Sequence, residues 1–158
     1  MNRPASTHGI LIVCYGNICR SPMGEYLMRQ ALQAANLQDH YAVHSAGVRA
    51  LVGNAAAAGA QAAAAAGGVS LDAHQARQLT VEMAMQADTI IAMDEVVEEE
   101  ILILSRDKVT VDLWPVDDPY GGPPQGYETA FREILQRVED WVRQAAAAAT
   151  PGQNRGAE

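Results

Sequence analysis

One short stretch, Cys14–Pro22, combines residue types that together could bind an anion and react with it. The thiol of Cys14 is followed, six positions on, by the guanidinium of Arg20 and then by the hydroxyl of Ser21. Backbone N–H groups of a tight loop can converge on an anion, and an arginine presents a planar fork that fits two phosphate oxygens. The same positive field favours the thiolate, which is the nucleophilic form of cysteine. The stretch therefore predicts a phosphate site with a nucleophile at its base.

The residues around this stretch suit a loop between a strand and a helix. Gly16 lets the backbone approach a ligand closely, and Asn17 tolerates a positive φ better than most residues. Ile10–Val13 is an unbroken apolar run that predicts a strand buried on both faces, and Pro22 is favoured at the start of a helix. The segment Cys14–Arg20, called the cysteine loop below, is expected between the two, where the first helical turn adds unpaired N–H donors.

Cys14 and Cys19 are the two cysteines of the chain, and their number and spacing argue against other uses of a thiol. Two cysteines are too few for a four-ligand zinc site, and a bond between them would close a loop too short to stabilise a fold much. We expect no metal and no cofactor, because the loop itself supplies positive charge. Met1–Gly9 lacks the apolar core of a signal peptide, so a cytoplasmic protein with reduced thiols is expected.

Length and composition indicate an ordinary globular chain. The 158 residues suit one domain, and the 49% that are apolar suffice for a core. The net charge of −8 argues against sequence-independent nucleic-acid binding, which needs many basic side chains. No apolar run reaches the roughly 18–20 residues of a membrane-spanning helix, so no membrane insertion is expected. We predict one domain over residues 1–150 and a disordered polar tail over 151–158.

Apolar runs and helical periodicities alternate along the chain, which predicts an α/β fold with a parallel sheet covered on both sides. In such sheets ligands bind beyond the carboxyl ends of the strands, where Cys14 stands. The clearest helix lies near the C-terminus, where apolar residues from Phe131 to Ala145 recur at helical spacing. The predicted strands are Ile10–Val13, Tyr41–Ser45, Thr89–Met93 and Lys108–Leu113; the other predicted helices are Ser21–Ala35, Asn54–Ala66 and Glu95–Leu104, with a long loop over Trp114–Gly126.

Val13–Pro22 resembles the signature of the low-molecular-weight protein tyrosine phosphatases of bacterial type, whereas other tyrosine phosphatases share only the cysteine, the arginine and their spacing. That family also carries a catalytic aspartate late in the chain, directly before a proline, and Asp117-Asp118-Pro119-Tyr120 supplies one. The resemblance spans nearly the whole chain. Three further stretches resemble elements of the family, namely Ser45-Ala46-Gly47, His74–Leu79 and Ala92-Met93-Asp94.

The resemblance implies a Rossmann-like, three-layer α/β/α sandwich whose four parallel strands stand in the order 2-1-3-4. It implies hydrolysis of protein phosphotyrosine through a phosphocysteine intermediate, with Cys14 as nucleophile, Arg20 on the phosphoryl oxygens and Asp118 as general acid and base. Ser21 is expected to donate a hydrogen bond to the cysteine sulfur. Asp118 is preferred to Asp117 because it directly precedes a proline, as in the family.

Two kinds of supporting role follow from the same resemblance. In the family, the residues matching Ser45 and His74 hydrogen-bond to the one matching Asn17 and hold the cysteine loop in shape. The family counterpart of Cys19 forms a reversible disulfide with the oxidised nucleophile, so a Cys14–Cys19 bond is expected on oxidation.

The expected substrate pocket departs from the usual form of the family at its rim. Leu51 and Gly121 stand where the family often carries aromatic residues, which predicts a more open pocket. The residues expected to contact substrate besides the catalytic ones are Tyr15, Gly16, Asn17, Ile18, Cys19, Ser21, Leu51 and Tyr120.

The implied partner is a tyrosine-phosphorylated protein, with a bacterial tyrosine kinase as one candidate, and the implied state is a monomer or weak dimer. Two other functions stay open: an arsenate reductase that uses external thiols, and an inactive phosphopeptide-binding module. An intramolecular arsenate relay needs cysteines after Cys19, and the chain has none. A disulfide oxidoreductase is disfavoured because Cys14 and Cys19 lack the Cys-x-x-Cys spacing of that chemistry.

Overall fold

A computed structural model describes residues 7–149, and at their centre lies a four-stranded sheet. Neighbouring strands run parallel in the order β2-β1-β3-β4, so the predicted parallel sheet and its strand order are confirmed. The first strand is central, and its last residue, Cys14, lies opposite Gly47 of the second. The strands are β1 His8–Cys14, β2 Tyr41–Gly47, β3 Thr89–Ala92 and β4 Asp112–Leu113.

Helices cover both faces of this sheet. Within residues 7–149 they are α1 Arg20–Ala34, α2 Ala58–Ala66, α3 Val81–Gln86, α4 Glu95–Ser105 and α5 Pro124–Ala149, and a 3₁₀ turn lies at Gln38–His40. One buried cluster packs α1, α2 and α5 against one face, and a second packs α3 and α4 against the other. The three-layer α/β/α sandwich is therefore confirmed.

β1 explains why its sequence reads as an unbroken apolar run. Ile10 and Ile12 point into the cluster beneath α1 and α5, whereas Leu11 and Val13 point into the cluster beneath α3 and α4. All four are buried. A central parallel strand has no solvent face, so no polar residue alternates along it. The strand delivers Cys14 to the carboxyl edge of the sheet.

Two predicted elements begin later than the sequence suggested. The helix predicted over Asn54–Ala66 begins at Ala58, because the preceding backbone is extended at Ala57 (ψ 145°) and its N–H donates to the carbonyl of Ile18 at 2.8 Å. The chain is thus pulled against the cysteine loop, which overrides the helical preference of alanine. The strand predicted over Lys108–Leu113 is reduced to Asp112–Leu113, at the edge of the sheet.

Other differences concern short segments. The sequence analysis did not foresee α3, although Thr80 caps it by accepting a hydrogen bond from the N–H of Met83 at 3.2 Å. The loop predicted over Trp114–Gly126 ends early, because α5 begins at Pro124. The predicted tail, Pro151–Glu158, lies outside the described residues. Among residues 7–149, no helix combines the length and the apolar content needed to cross a bilayer.

Candidate active site

The cysteine loop links the end of β1 to the start of α1 and wraps closely against β2. Gly47 is needed for this contact, because a Cβ there would lie 2.7 Å from the carbonyl oxygen of Tyr15 and 2.9 Å from the backbone nitrogen of Asn17. Real Cβ atoms do not approach backbone so closely, so any larger residue would displace the loop. The sequence analysis matched Gly47 to the family but gave it no role.

Asn17 lies at the centre of the loop and adopts a left-handed conformation, with φ 58°. Its carbonyl oxygen accepts a hydrogen bond from Nε2 of the buried His74 at 2.6 Å, which requires the proton on that nitrogen. Its side-chain Oδ1 accepts from the backbone N–H of Arg77 at 2.9 Å. Backbone N–H groups only donate, so this contact defines which side of the amide is oxygen and leaves Nδ2 to donate elsewhere.

The Asn17 amide then directs two hydroxyl groups. Nδ2 donates to Ser21 Oγ at 2.7 Å and to Ser45 Oγ at 3.0 Å. The Ser45 hydroxyl in turn donates to the carboxylate of Glu25, which is buried and paired with Arg29 at 2.5 Å. A carboxylate can only accept, so every donor along this chain of hydrogen bonds has a defined direction.

That direction determines what Ser21 offers to the nucleophile. Its oxygen already accepts from Asn17, and its Oγ lies 2.9 Å from the Sγ of Cys14. Its proton has two acceptors within reach, the sulfur at 2.9 Å and the carbonyl oxygen of Ala46 at the longer distance of 3.5 Å, and pointed at the sulfur it stabilises a thiolate. Asn17, Ser21 and Ser45 are each 0% exposed, so they lie behind the pocket rather than on its wall.

Arg20 is buried, 2% exposed, yet its guanidinium is only partly satisfied within the described residues. One terminal nitrogen donates to Asp94 and to the carbonyl oxygen of Val116, both at 2.8 Å, whereas Nε has no hydrogen-bond partner in residues 7–149. A buried donor without a partner costs about 1–3 kcal/mol. A bound anion would satisfy it, and this is the strongest sign of an oxyanion site in the fold.

Asp94 is a functional residue that the sequence analysis matched to the family without assigning it a role. It caps α4 by accepting from the N–H of Val97 at 2.8 Å, and its other oxygen holds Arg20. Its place directly after the apolar run of β3 was the available signal, because strand ends of a parallel sheet meet at one edge.

A cavity of about 270 Å³ opens above the cysteine loop. The buried Cys14 and Arg20 lie at its base. Three exposed side chains lie at its mouth: Tyr15 is 50% exposed, Leu51 is 44% exposed and Tyr120 is 62% exposed. Asp118 lines this cavity, whereas Asp117 lines only a neighbouring one. The lining residues are Cys14, Tyr15, Gly16, Ile18, Cys19, Arg20, Arg49, Leu51, Asp118 and Tyr120; of these, Arg49 was not predicted.

Asp118 is oriented by its own loop, residues 114–123, called the aspartate loop. One carboxylate oxygen accepts from the backbone N–H of Tyr120 at 3.1 Å, and the other lies 3.8 Å from the Arg20 guanidinium. The loop turns at Gly121, where φ is +78°, so an aromatic residue there would be strained. The Gly121 N–H donates to the hydroxyl of Tyr127 on α5 at 3.3 Å.

Tyr127 also connects the aspartate loop to the cysteine loop. Its hydroxyl interacts with the thiol of Cys19, which is buried, and this interaction favours the thiolate form of Cys19. Burial and the nearby Cys14 sulfur raise the pKa of Cys19 to about 12. Cys19 therefore stays protonated near neutral pH, and its reaction with Cys14 on oxidation stays a prediction. Both cysteines are free thiols.

Comparison with known proteins identifies the family. A family model described as low molecular weight phosphotyrosine protein phosphatase matches residues 9–151. The chain belongs to this family. EpsP of Ralstonia solanacearum, a probable low molecular weight protein-tyrosine-phosphatase, is 36% identical over 140 residues, which cover 84% of this chain and 92% of the relative. The resemblance on which the sequence analysis drew is thereby confirmed.

Solved structures of similar proteins have the same fold. The tyrosine phosphatase AmsI of Erwinia amylovora superposes with a TM-score of 0.80 at 31% identity, covering 91% of this chain and 97% of that one. The arginine phosphatase YwlE of Bacillus subtilis has a TM-score of 0.80 at 28% identity, covering 86% of this chain and 94% of that one.

Within residues 7–149 no group of three or more His, Cys, Asp or Glu side chains is placed to hold a metal ion.

Proposed function

We propose that this protein hydrolyses phosphotyrosine in proteins, with Cys14 as nucleophile, Arg20 as the cation that binds the phosphoryl group and Asp118 as general acid and base. The observation that carries the proposal is that these three side chains line one cavity, although about 100 positions of sequence separate the first two from the third. The thiol, the partly satisfied guanidinium and the carboxylate are the groups that phosphoryl transfer to sulfur requires.

In the first step, the Cys14 thiolate attacks phosphorus in line with the phenolic oxygen. The S–P bond forms as the P–O bond breaks, and Asp118 gives its proton to the leaving oxygen. Arg20 and the N–H groups of the cysteine loop stabilise the charge on the three equatorial oxygens. The unpartnered Nε of Arg20 supports this assignment.

In the second step, water attacks the phosphorus of phosphocysteine while the Asp118 carboxylate takes its proton. The S–P bond breaks, inorganic phosphate leaves and the Cys14 thiolate is restored. Ser21 donates a hydrogen bond to the departing sulfur. The 2.9 Å contact between Ser21 Oγ and Sγ, with its donor direction set by Asn17, supports this role.

The substrate class follows from the depth and lining of the cavity. Cys14 is 2% exposed at the base, so a long aryl phosphate reaches the sulfur more easily than the shorter phosphoserine. Tyr15, Leu51 and Tyr120 offer apolar surface at the mouth, where the ring of phosphotyrosine would pass. The proposed partner is accordingly a tyrosine-phosphorylated protein of the cytoplasm, with a bacterial tyrosine kinase as the first candidate to test.

The proposal is tested by turnover of para-nitrophenyl phosphate and of a phosphotyrosine peptide in the presence of a metal chelator. We expect turnover of both by the natural chain and none by Cys14→Ser, because serine is a far weaker nucleophile without an adjacent base. Cys19→Ser makes the same change at the other thiol and is the matched control; we expect it to retain measurable turnover, because the proposed mechanism forms no bond to this sulfur. An active Cys14→Ser variant, or an inactive natural chain, would contradict the proposal.

Two alternatives predict different results in the same experiment. An arsenate reductase would consume thiols in proportion to arsenate, and a binding module would retain phosphopeptide without releasing phosphate. A phosphoarginine peptide is included because one similar structure is an arginine phosphatase. A higher kcat/KM for phosphoarginine than for phosphotyrosine would replace the proposed substrate class.

A further inference from the structure

We propose that Arg49 forms a second binding site at the mouth of the catalytic cavity, which takes the carboxylate of an acidic residue beside the phosphotyrosine of the substrate. This inference rests on the proposed function and names the substrate class more closely. Of the described residues that line the cavity, Arg20 and Arg49 are the cationic ones. Because Arg20 binds the phosphoryl group at the base in the proposed function, Arg49 is the cation of the cavity lining that is available to bind the rest of the peptide.

The backbone of Arg49 is held tightly against the cysteine loop. The segment Val48–Leu51, called the wall segment, makes three hydrogen bonds to consecutive carbonyl groups of that loop, from Val48 N to Cys14 O at 3.1 Å, from Arg49 N to Tyr15 O at 2.9 Å and from Leu51 N to Gly16 O at 3.2 Å. The Cα of Arg49 therefore has a defined place beside the loop that binds the phosphate, and its side chain starts from the rim.

The side chain of Arg49, by contrast, is held only weakly, with one terminal nitrogen donating to the carbonyl oxygen of Val48 at 3.3 Å. It is 63% exposed, and its terminal nitrogen lies 3.6 Å from Glu100 of α4, which is itself partly exposed. An exposed ion pair of this kind contributes only about 0–1 kcal/mol. The guanidinium can therefore leave Glu100 for a substrate carboxylate at little cost, because one exposed carboxylate replaces another.

The charge of the whole chain makes such a local cation important. At a net charge of −8 the molecule repels an acidic peptide, and Asp118 and Asp117 add negative charge beside the cavity. The wall segment presents Arg49 at the same cavity mouth. An acidic residue of the substrate is therefore attracted to the wall segment and repelled by the aspartate loop, which orients the peptide.

The test compares two phosphotyrosine peptides of equal length, one with Glu and one with Gln on both sides of the phosphotyrosine. Dissociation constants are measured in a Cys14→Ser background, so that binding is read without turnover, and kcat/KM is measured in the active enzyme. We expect the protein with its natural Arg49 to bind and turn over the Glu peptide better than the Gln peptide. Arg49→Gln is expected to reduce this preference, expressed as the ratio of dissociation constants or of kcat/KM for the two peptides, about two- to fivefold. Arg49→Lys keeps the charge and is expected to keep most of the preference.

Glu100 supplies the second arm of the test. Glu100→Gln removes the competing carboxylate and is expected to raise the preference for the Glu peptide, whereas the double variant with Arg49→Gln is expected to behave like Arg49→Gln alone. The inference would be overturned if Arg49→Gln showed the same preference for the Glu peptide as the protein with its natural Arg49. It would also be overturned if this preference rose as much in the double variant as in Glu100→Gln. Failure of the proposed function would instead abolish turnover and leave the binding preference intact.

Discussion

At the scale of single residues, the site depends on donors whose direction is set before substrate arrives. Arg77 orients the Asn17 amide, the amide donates to Ser21, and the Ser21 hydroxyl lies 2.9 Å from the Cys14 sulfur, its shortest contact with a possible acceptor. At the other end of this series of hydrogen bonds, the Glu25 carboxylate accepts from the Ser45 hydroxyl. A donor that is already aligned needs no reorganisation as the charge on the sulfur changes, which is how fixed dipoles lower a barrier.

The two neighbouring carboxylates allow a prediction at this scale. Asp118→Asn is expected to lower kcat/KM for phenyl phosphate, which reports the first step, by about 10²–10⁴-fold, because phenolate is a poor leaving group that must be protonated. The loss is expected to be much smaller with para-nitrophenyl phosphate, whose leaving group needs little protonation. Steady-state kinetics with both substrates measures the difference.

Asp117→Asn is the matched control for this experiment, since it makes the same chemical change one residue away. Its side chain lines a neighbouring cavity. It is expected to change kcat/KM little with either substrate. A larger loss from Asp117→Asn than from Asp118→Asn on phenyl phosphate would exchange the two roles.

At the scale of elements, the important contact is between the end of β2 and the cysteine loop. Cys14 and Gly47 are partners in the register of the two strands, so the loop emerges directly over the glycine. The wall segment then continues along the loop and hydrogen-bonds to it. The conformation of the cysteine loop is therefore imposed by a neighbouring strand as much as by its own sequence.

Gly47→Ala tests this contact. The added methyl group would lie 2.7 Å from backbone, so we expect the cysteine loop to shift and kcat/KM to fall at least about 100-fold, the loss that a displacement of the order of 1 Å can cause. The far-ultraviolet circular dichroism spectrum is expected to stay that of the folded protein.

Gly126→Ala, within α5, is the control. The added Cβ would lie 3.7 Å from the Cβ of Pro119, which is an ordinary contact distance. We expect this variant to remain active and at least as stable, since alanine favours a helix. Equal activity of Gly47→Ala and the natural chain would show that the loop does not need the close approach.

At the scale of the whole molecule, α5 closes the larger of the two buried clusters. It packs against α1 and α2, and the hydroxyl of its Tyr127 accepts a hydrogen bond from the aspartate loop at Gly121 and interacts with Cys19 of the cysteine loop. Ile134 and Val138 are fully buried at the centre of this helix. The stability of the layer and the position of the aspartate loop are therefore coupled through one helix.

Ile134→Ala is expected to destabilise the fold by about 2–5 kcal/mol, because it removes buried methylene groups and leaves a cavity. Ile103→Ala makes the same change at a side chain that is 66% exposed on α4, and it is expected to shift stability by no more than about 0.5 kcal/mol. Urea unfolding of both variants measures the free energies. Similar losses at the two positions would show that α5 does not carry the core as described.

The sequence by itself determined what is local. The cysteine loop carries its thiol, arginine and hydroxyl within Cys14–Pro22, and an unbroken apolar run before it predicts a buried parallel strand. The periodicity of α5 likewise predicted a buried face that includes Phe131, Ile134, Val138 and Val142, because helical spacing is read directly from the chain. Strand order came from the resemblance to a family.

Only the tertiary structure decided which distant groups meet. It brought Asp118 to the cavity beside Cys14, placed Asp94 on Arg20 and moved the start of α2 to Ala58. It also set Arg49 at the mouth. These outcomes depend on strand register, on backbone hydrogen bonds between segments far apart in the chain and on which edge of the sheet a loop crosses. The spacing of residues within one segment predicts none of these three.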